Sequence, residues 1–150
     1  MFKTILVPTD GSSLSDQAIN AAVEFAQSTG GKIIGLSVAE PYPYTPLTDG
    51  SITVDANNYE EKMHEMAQMH VRKIADAAQA AHVPCETYVC QSFSPHEEII
   101  SVAIKHNCDV IFMASHGRKG LSRLFVGSET QKVLAHSTIP VLVFRQGSPA

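Results

Sequence analysis

Apolar residues in this chain fall into short unbroken runs, separated by longer stretches in which they recur every three or four positions. Ile5-Leu6-Val7 and Val110 to Ala114 are continuous rather than alternating, as strands covered on both faces require. Strand-like runs appear at Thr4 to Pro8, Lys32 to Val38, Glu86 to Cys90, Asp109 to Ser115 and Pro140 to Phe144, with helical periodicity in the gaps between them. Strands alternating with helices predict an α/β fold: an open, five-stranded parallel sheet with helices on both faces.

The first helix is expected to start near Ser13, bury Ile19, Ala22, Val23 and Ala26, and stop at Gly30 and Gly31. A second runs from about Tyr59 to Ala81, with Met63, Met66, Ala67, Val71, Ile74 and Ala78 on its apolar face. Ser94-Pro95-His96-Glu97 places an N-cap, a proline at the first helical position and an acid three residues after the cap, so a third helix starts there. Ser128 and Gln131 have the spacing of a capping box for a fourth. Between Ala39 and Asn58 the periodicity fails among Pro41, Pro43, Pro46 and Gly50, which predicts a long loop, either a lid or an indifferent surface segment. No internal repeat is visible, and residues 1–150 read as one domain.

Composition narrows the function classes. With 44% hydrophobic and 17% charged residues over 150 positions, the chain has the makings of an ordinary folded domain that buries about 70% of its unfolded surface. Its longest apolar run is far too short to span a bilayer, and Met1-Phe-Lys-Thr lacks the apolar stretch of a secretory leader, so no membrane association and a cytoplasmic location are expected. A net charge of −4 argues against nucleic acid as a partner. Cys85, Cys90 and Cys108 contain no C-x-x-C pair, which points to reduced thiols rather than a disulfide or zinc framework. His64 and His70 lie six apart on a helix and do not share a face as zinc ligands would, and no metal site is expected from the protein's own residues.

The chemistry concentrates at the predicted strand ends. Gly117-Arg-Lys-Gly-Leu-Ser-Arg-Leu-Phe-Val-Gly127-Ser128 joins an apolar strand to a helix through Gly117, Gly120 and Gly127, and its cations Arg118, Lys119 and Arg123 stand without a single acid in an acidic protein. Glycines allow close backbone approach, and a helix start offers free N–H groups and a positive dipole end, so the segment suits a phosphate. The competing reading is a solvated surface loop. In open parallel sheets ligands sit beyond the carboxyl ends of the strands, where the strand order reverses. If the first and fourth strands are neighbours, Asp10 and this loop converge there. Asp10 then either reads a ribose or adenine or simply caps the turn into the first helix. Neither G-x-G-x-x-G nor G-x-x-x-x-G-K-[ST] occurs, so the cradle is of another kind. No nucleophile elbow is present, and the residues identify no catalytic constellation.

Ala114-x2-Gly117-x9-Gly127-Ser128 resembles the G-x2-G-x9-G-[ST] nucleotide loop of the universal stress protein family. The resemblance extends to Ile5-Leu-Val-Pro-Thr-Asp-Gly-Ser12, Ser94-Pro-His-Glu-Glu-Ile-Ile100, Met113-Ala-Ser-His-Gly-Arg118 and Ile139-Pro-Val-Leu-Val143. It implies a Rossmann-like fold of the adenine-nucleotide alpha hydrolase type, with strand order 3-2-1-4-5, homodimeric through the last strand around Pro140 to Phe144. It also implies ATP, or ADP or AMP, as ligand, with Mg2+ carried by the phosphates. Asp10 falls where the family contacts ribose and adenine, Val38 where it packs the ring, and Pro8 and Thr9 beside the base. Met113, Ala114, His116, Gly117, Arg118, Gly120, Gly127, Ser128, Glu129 and Thr130 fall on or beside the phosphate loop. Ala114 replaces the first glycine of the pattern, which is tolerable if it keeps strand dihedrals. The alternative is a dimeric stress protein acting through unknown protein partners without nucleotide.

Overall fold

The computed structural model describes residues 2–43, 52–115 and 126–145, the side chains of residues 52–55 excepted. Five parallel strands, β1 (Thr4–Pro8), β2 (Lys32–Ala39), β3 (Cys85–Gln91), β4 (Val110–Ala114) and β5 (Val141–Phe144), alternate with helices α1 (Ser13–Thr29), α2 (Ile52–Ala80), α3 (Pro95–Lys105) and α4 (Ser128–His136). The sheet order is β3-β2-β1-β4-β5. All five strand predictions hold to within a residue or two.

Both faces of the sheet are covered. Ile5, Val7, Ile33, Val110 and Phe112 point to the side of α1 and α2, where Ile19, Val23, Ile74 and Ala78 meet them. Leu6, Ile34, Leu36, Ile111 and Met113 point to the other side, against Ile99 and Ala103 of α3 and Val133 of α4. Two-sided burial is why β1 and β4 are apolar at every central position. At Gly35 the missing side chain lets α2 close on the sheet, since a Cβ there would lie 3.0 Å from Ile74 Cδ1.

α1 ends as expected, with Gly30 left-handed at φ +67° and its N–H bonded to Ala26 O. α2 differs from expectation at its start. It begins at Ile52 rather than near Tyr59, so the last part of the segment taken for a loop is helical. Thr53, Val54, Asn57 and Asn58 are weak helix formers and mask the period. Tyr42, just beyond β2, helps to fix this end: its ring meets Tyr59 edge-on at 5.4 Å, and its N–H donates to Glu60 Oε1 at 3.4 Å. The rest of the lid expectation, residues 44–51, lies outside the described residues. Met63 and Met66 are half-buried rather than core, and the apolar seam proper is Ala67, Val71, Ile74 and Ala78.

No described helix is long and apolar enough to cross a membrane. β5 is an edge strand with Leu142 43% exposed, so an apolar row borders the sheet on that side.

Ile74 is fully buried between α2 and the sheet. Ile74→Ala should cost about 2–5 kcal/mol in urea unfolding, with the slope unchanged.

Candidate functional site

The carboxyl ends of β1 and β4 form the crevice. These strands are neighbours, but their pairing runs only through Ile5↔Val110 and Leu6↔Ile111. β1 stays with β2 beyond that point, through Pro8↔Leu36 and a bond from Thr9 N to Leu36 O at 2.9 Å. β4 stays with β5 through Ala114↔Phe144 and a bond from Ser115 N to Phe144 O at 2.7 Å. Each strand follows its outer partner, so the sheet opens between Pro8–Asp10 and Met113–Ser115. This is the reversal of strand order at which ligands enter such sheets.

On the β1 side the turn is tightly specified. Thr9 is 7% exposed and its Oγ1 accepts from Gly11 N at 3.1 Å. Asp10 Oδ1 accepts from Ser12 N at 3.0 Å and from Ser15 Oγ at 2.9 Å. Ser12 caps α1 by accepting from Ser15 N at 3.2 Å. Asp10 therefore does shape the turn into α1, and the same bonds fix its carboxylate at the strand end. Gly11 has φ +81°, and a Cβ on it would stand 2.3 Å from His70 Nε2. The His70 ring on α2 thus lies directly over the turn. Sequence reasoning set His70 aside with His64; the glycine next to Asp10 was a signal of close approach, but not of what approaches.

On the β4 side the chain returns from the glycine segment at Gly127, whose N–H donates to Ser115 O at 2.7 Å. Gly127, not Ser128, is the N-cap of α4, and Gln131 N bonds to Gly127 O at 3.0 Å. The expected capping box does not form: Ser128 is the first helical residue, and the Gln131 amide donates to Val126 O. Ser128 can yield the cap because glycine is acceptable there. Among the described residues no side chain caps α4. The N–H groups of Ser128, Glu129 and Thr130 therefore lack intrahelical acceptors. Thr130 is 3% exposed and donates its hydroxyl proton to Ala114 O at 2.9 Å, locking α4 to the end of β4. Glu129 turns the other way. Its Oε2 accepts from His96 N at 3.0 Å and stands 3.1 Å from His96 Nδ1, while Oε1 accepts from Lys132 Nζ at 3.3 Å. It supplies to α3 the acceptor that Ser94 does not, since Ser94 sits at the N-cap without a side-chain cap bond. This 33-residue link has no local signature in the sequence.

Comparison with known proteins fits this architecture. The family model described as the universal stress protein family matches residues 1–145. The chain belongs to the universal stress protein family. A universal stress protein of Thermus aquaticus is 31% identical over 145 residues, which cover 97% of this chain and all of that relative. The solved structure of protein MJ0577, a universal stress protein of Methanocaldococcus jannaschii, superposes with a TM-score of 0.83 at 28% identity, covering 99% of each chain. Two further structures share the fold: a universal stress protein in complex with cAMP (TM-score 0.70, 22% identity, 97% of this chain and 99% of that one) and an Arabidopsis thaliana family member with AMP bound (0.67, 15%, 97% and 93%).

In this universal stress protein, Ala114 pairs with Phe144 inside β4, so its methyl meets the condition of strand geometry. Pro8 ends β1, Val38 lies half-buried near the end of β2, and Met113 is buried beneath the crevice. His116, Gly117, Arg118 and Gly120 fall outside the described residues. Phe93, in the turn before α3, is 62% exposed. Among the described residues no three His, Cys, Asp or Glu side chains form a metal-binding group.

Burial pushes the three thiols up to about 11, with Glu86, Glu98 and Asp109 adding to the effect at Cys85, Cys90 and Cys108 respectively. They are protonated at neutral pH, so alkylation of the folded protein by iodoacetamide should be slow there and accelerate only in strong alkali or on unfolding.

Burial alone would raise the Glu129 carboxyl, but the His96 N–H, the His96 ring and Lys132 outweigh it and hold the group below its ordinary 4.5. A lowered folded value means stability that is complete above the unfolded value and is lost as pH falls through the folded one. Glu129→Gln should cost about 0.5–1 kcal/mol near neutrality, allowing for solvent screening. In acid titrations of thermal stability the gap between parent and variant should close below the ordinary carboxylate range.

Proposed function

We propose that this universal stress protein binds an adenine nucleotide, ATP or its products ADP and AMP, in the crevice between β1 and β4. It does so as a homodimeric regulator in the cytoplasm, with Mg2+ brought only by the phosphates. Asp10 takes the ribose and adenine edge, with Pro8, Thr9, Val38 and Met113 around the base. Ala114, Gly127, Ser128, Glu129 and Thr130 form the described part of the phosphate end, and His116, Gly117, Arg118 and Gly120 belong to the same reading. The observation that carries it is the parting of β1 from β4, which puts an oriented carboxylate and an uncapped helix start on adjacent strand ends. One suits the polar edge of a nucleoside, the other an anion. The AMP and cAMP held by two proteins of this fold support the ligand class. The exposed apolar edge at β5 supports pairing through that strand, and it serves equally the second reading, a dimer that works through protein partners without nucleotide.

Because Ser128 makes no cap bond, its removal separates binding from stability. Ser128→Ala should weaken ATP by about 1.5–3 kcal/mol in calorimetry if the hydroxyl meets a phosphate, with the melting temperature of the free protein unchanged. Unaltered ATP affinity, or no ATP binding by the parent, would refute the assignment. Light scattering coupled to size exclusion should give twice the chain mass at micromolar concentration.

A further inference from the structure

Glu129 is the middle residue of the three whose N–H groups open the start of α4. A carboxylate in the first turn of a helix is attracted to the N–H groups and dipole of its own N-terminus. Left to itself, Glu129 would compete there with any phosphate. The structure turns it instead against α3, where one oxygen meets both the backbone N–H of His96 and the His96 ring.

We propose, resting on the nucleotide reading above, that His96 is a positioning residue for the phosphate end of the site. It holds Glu129 against α3, keeps that carboxylate off the anion subsite, and so tightens the binding of polyphosphates.

His96 lines an open groove of about 620 Å³ between α3 and α4, together with Glu97, Lys105 and His136. The His136 ring centroid is 6.2 Å away. The charged and titratable groups around it are thus Glu97 and Lys105 from α3 and Glu129, Lys132 and His136 from α4. The ring's contact with Glu129 draws that negative charge away from the start of α4, which favours an anion there. The bond from the His96 backbone N–H persists whatever the side chain, so the ring tunes the site rather than making it.

The test compares ATP with adenosine, in the full chain and its variants, by calorimetry. Adenosine shares the base and ribose but carries no phosphate, and His96→Asn can still donate to Glu129. His96→Ala should weaken ATP about threefold or more, with adenosine unaffected and His96→Asn close to the parent. Glu129→Gln should bind ATP at least as tightly as the parent, and adding His96→Ala to it should have no further effect. The inference is overturned if His96→Ala binds ATP as tightly as the parent, if it weakens adenosine as much as ATP, or if Glu129→Gln weakens ATP. Failure of the parent to bind either ligand would overturn the nucleotide reading and this inference with it. Intact ATP binding without the His96 dependence overturns the inference alone.

Discussion

The parting of β1 from β4 is the constraint on which the site depends. Each strand is hydrogen-bonded on its other edge for longer, β1 to β2 as far as Thr9 and β4 to β5 as far as Ser115. After Leu6 and Ile111 the two ladders diverge. The helix that follows β1, α1, lies on one face of the sheet, whereas α4, which follows β4, lies on the other. A gap at this point therefore follows from the topology, and the side chains only determine what it holds.

Accounting for the donors at the helix starts sharpens that picture. α1 is capped by Ser12, and α3 receives Glu129 in place of its own Ser94. α4 takes a glycine cap and gives its first-turn acid away to α3. Every one of these choices favours leaving the start of α4 open. The helix is nevertheless held firmly, by Gly127 to Ser115, Thr130 to Ala114 and Glu129 to His96. A fixed, uncapped helix start is a preorganised anion site, because an arriving ligand has little backbone left to order.

What the sequence disclosed was whatever is local or periodic. The unbroken apolar runs of β1 and β4, the Ser-Pro start of α3 and the glycine end of α1 need only neighbouring residues to be read. The family pattern then supplied the strand order, which periodicity cannot. What stayed hidden involved distant partners. Ser128 looked like a cap because serine favours that position, yet Gly127, pinned to Ser115, takes it. The early start of α2 is hidden by weak helix formers and supported by Tyr42, across a segment with no pattern. His70 over Gly11 and His96 on Glu129 pair residues 59 and 33 positions apart. No spacing rule connects them. Of the site itself, the strand ends and the helix start were legible, whereas the histidines beside them were not.

Those two histidines stand on opposite sides of the sheet, His70 with α2 over the β1 turn and His96 with α3 beside α4. Each touches an element that ends at the crevice, and neither belongs to the core that holds the sheet together. The core can therefore stay unchanged while either contact shifts. A ligand spanning Asp10 and the start of α4 would bond to the two turns these side chains steady, and binding would be linked to both faces through short, local contacts. That coupling requires no movement of the strands. It needs only that the turns be less stable than the sheet, as loops that carry binding groups are.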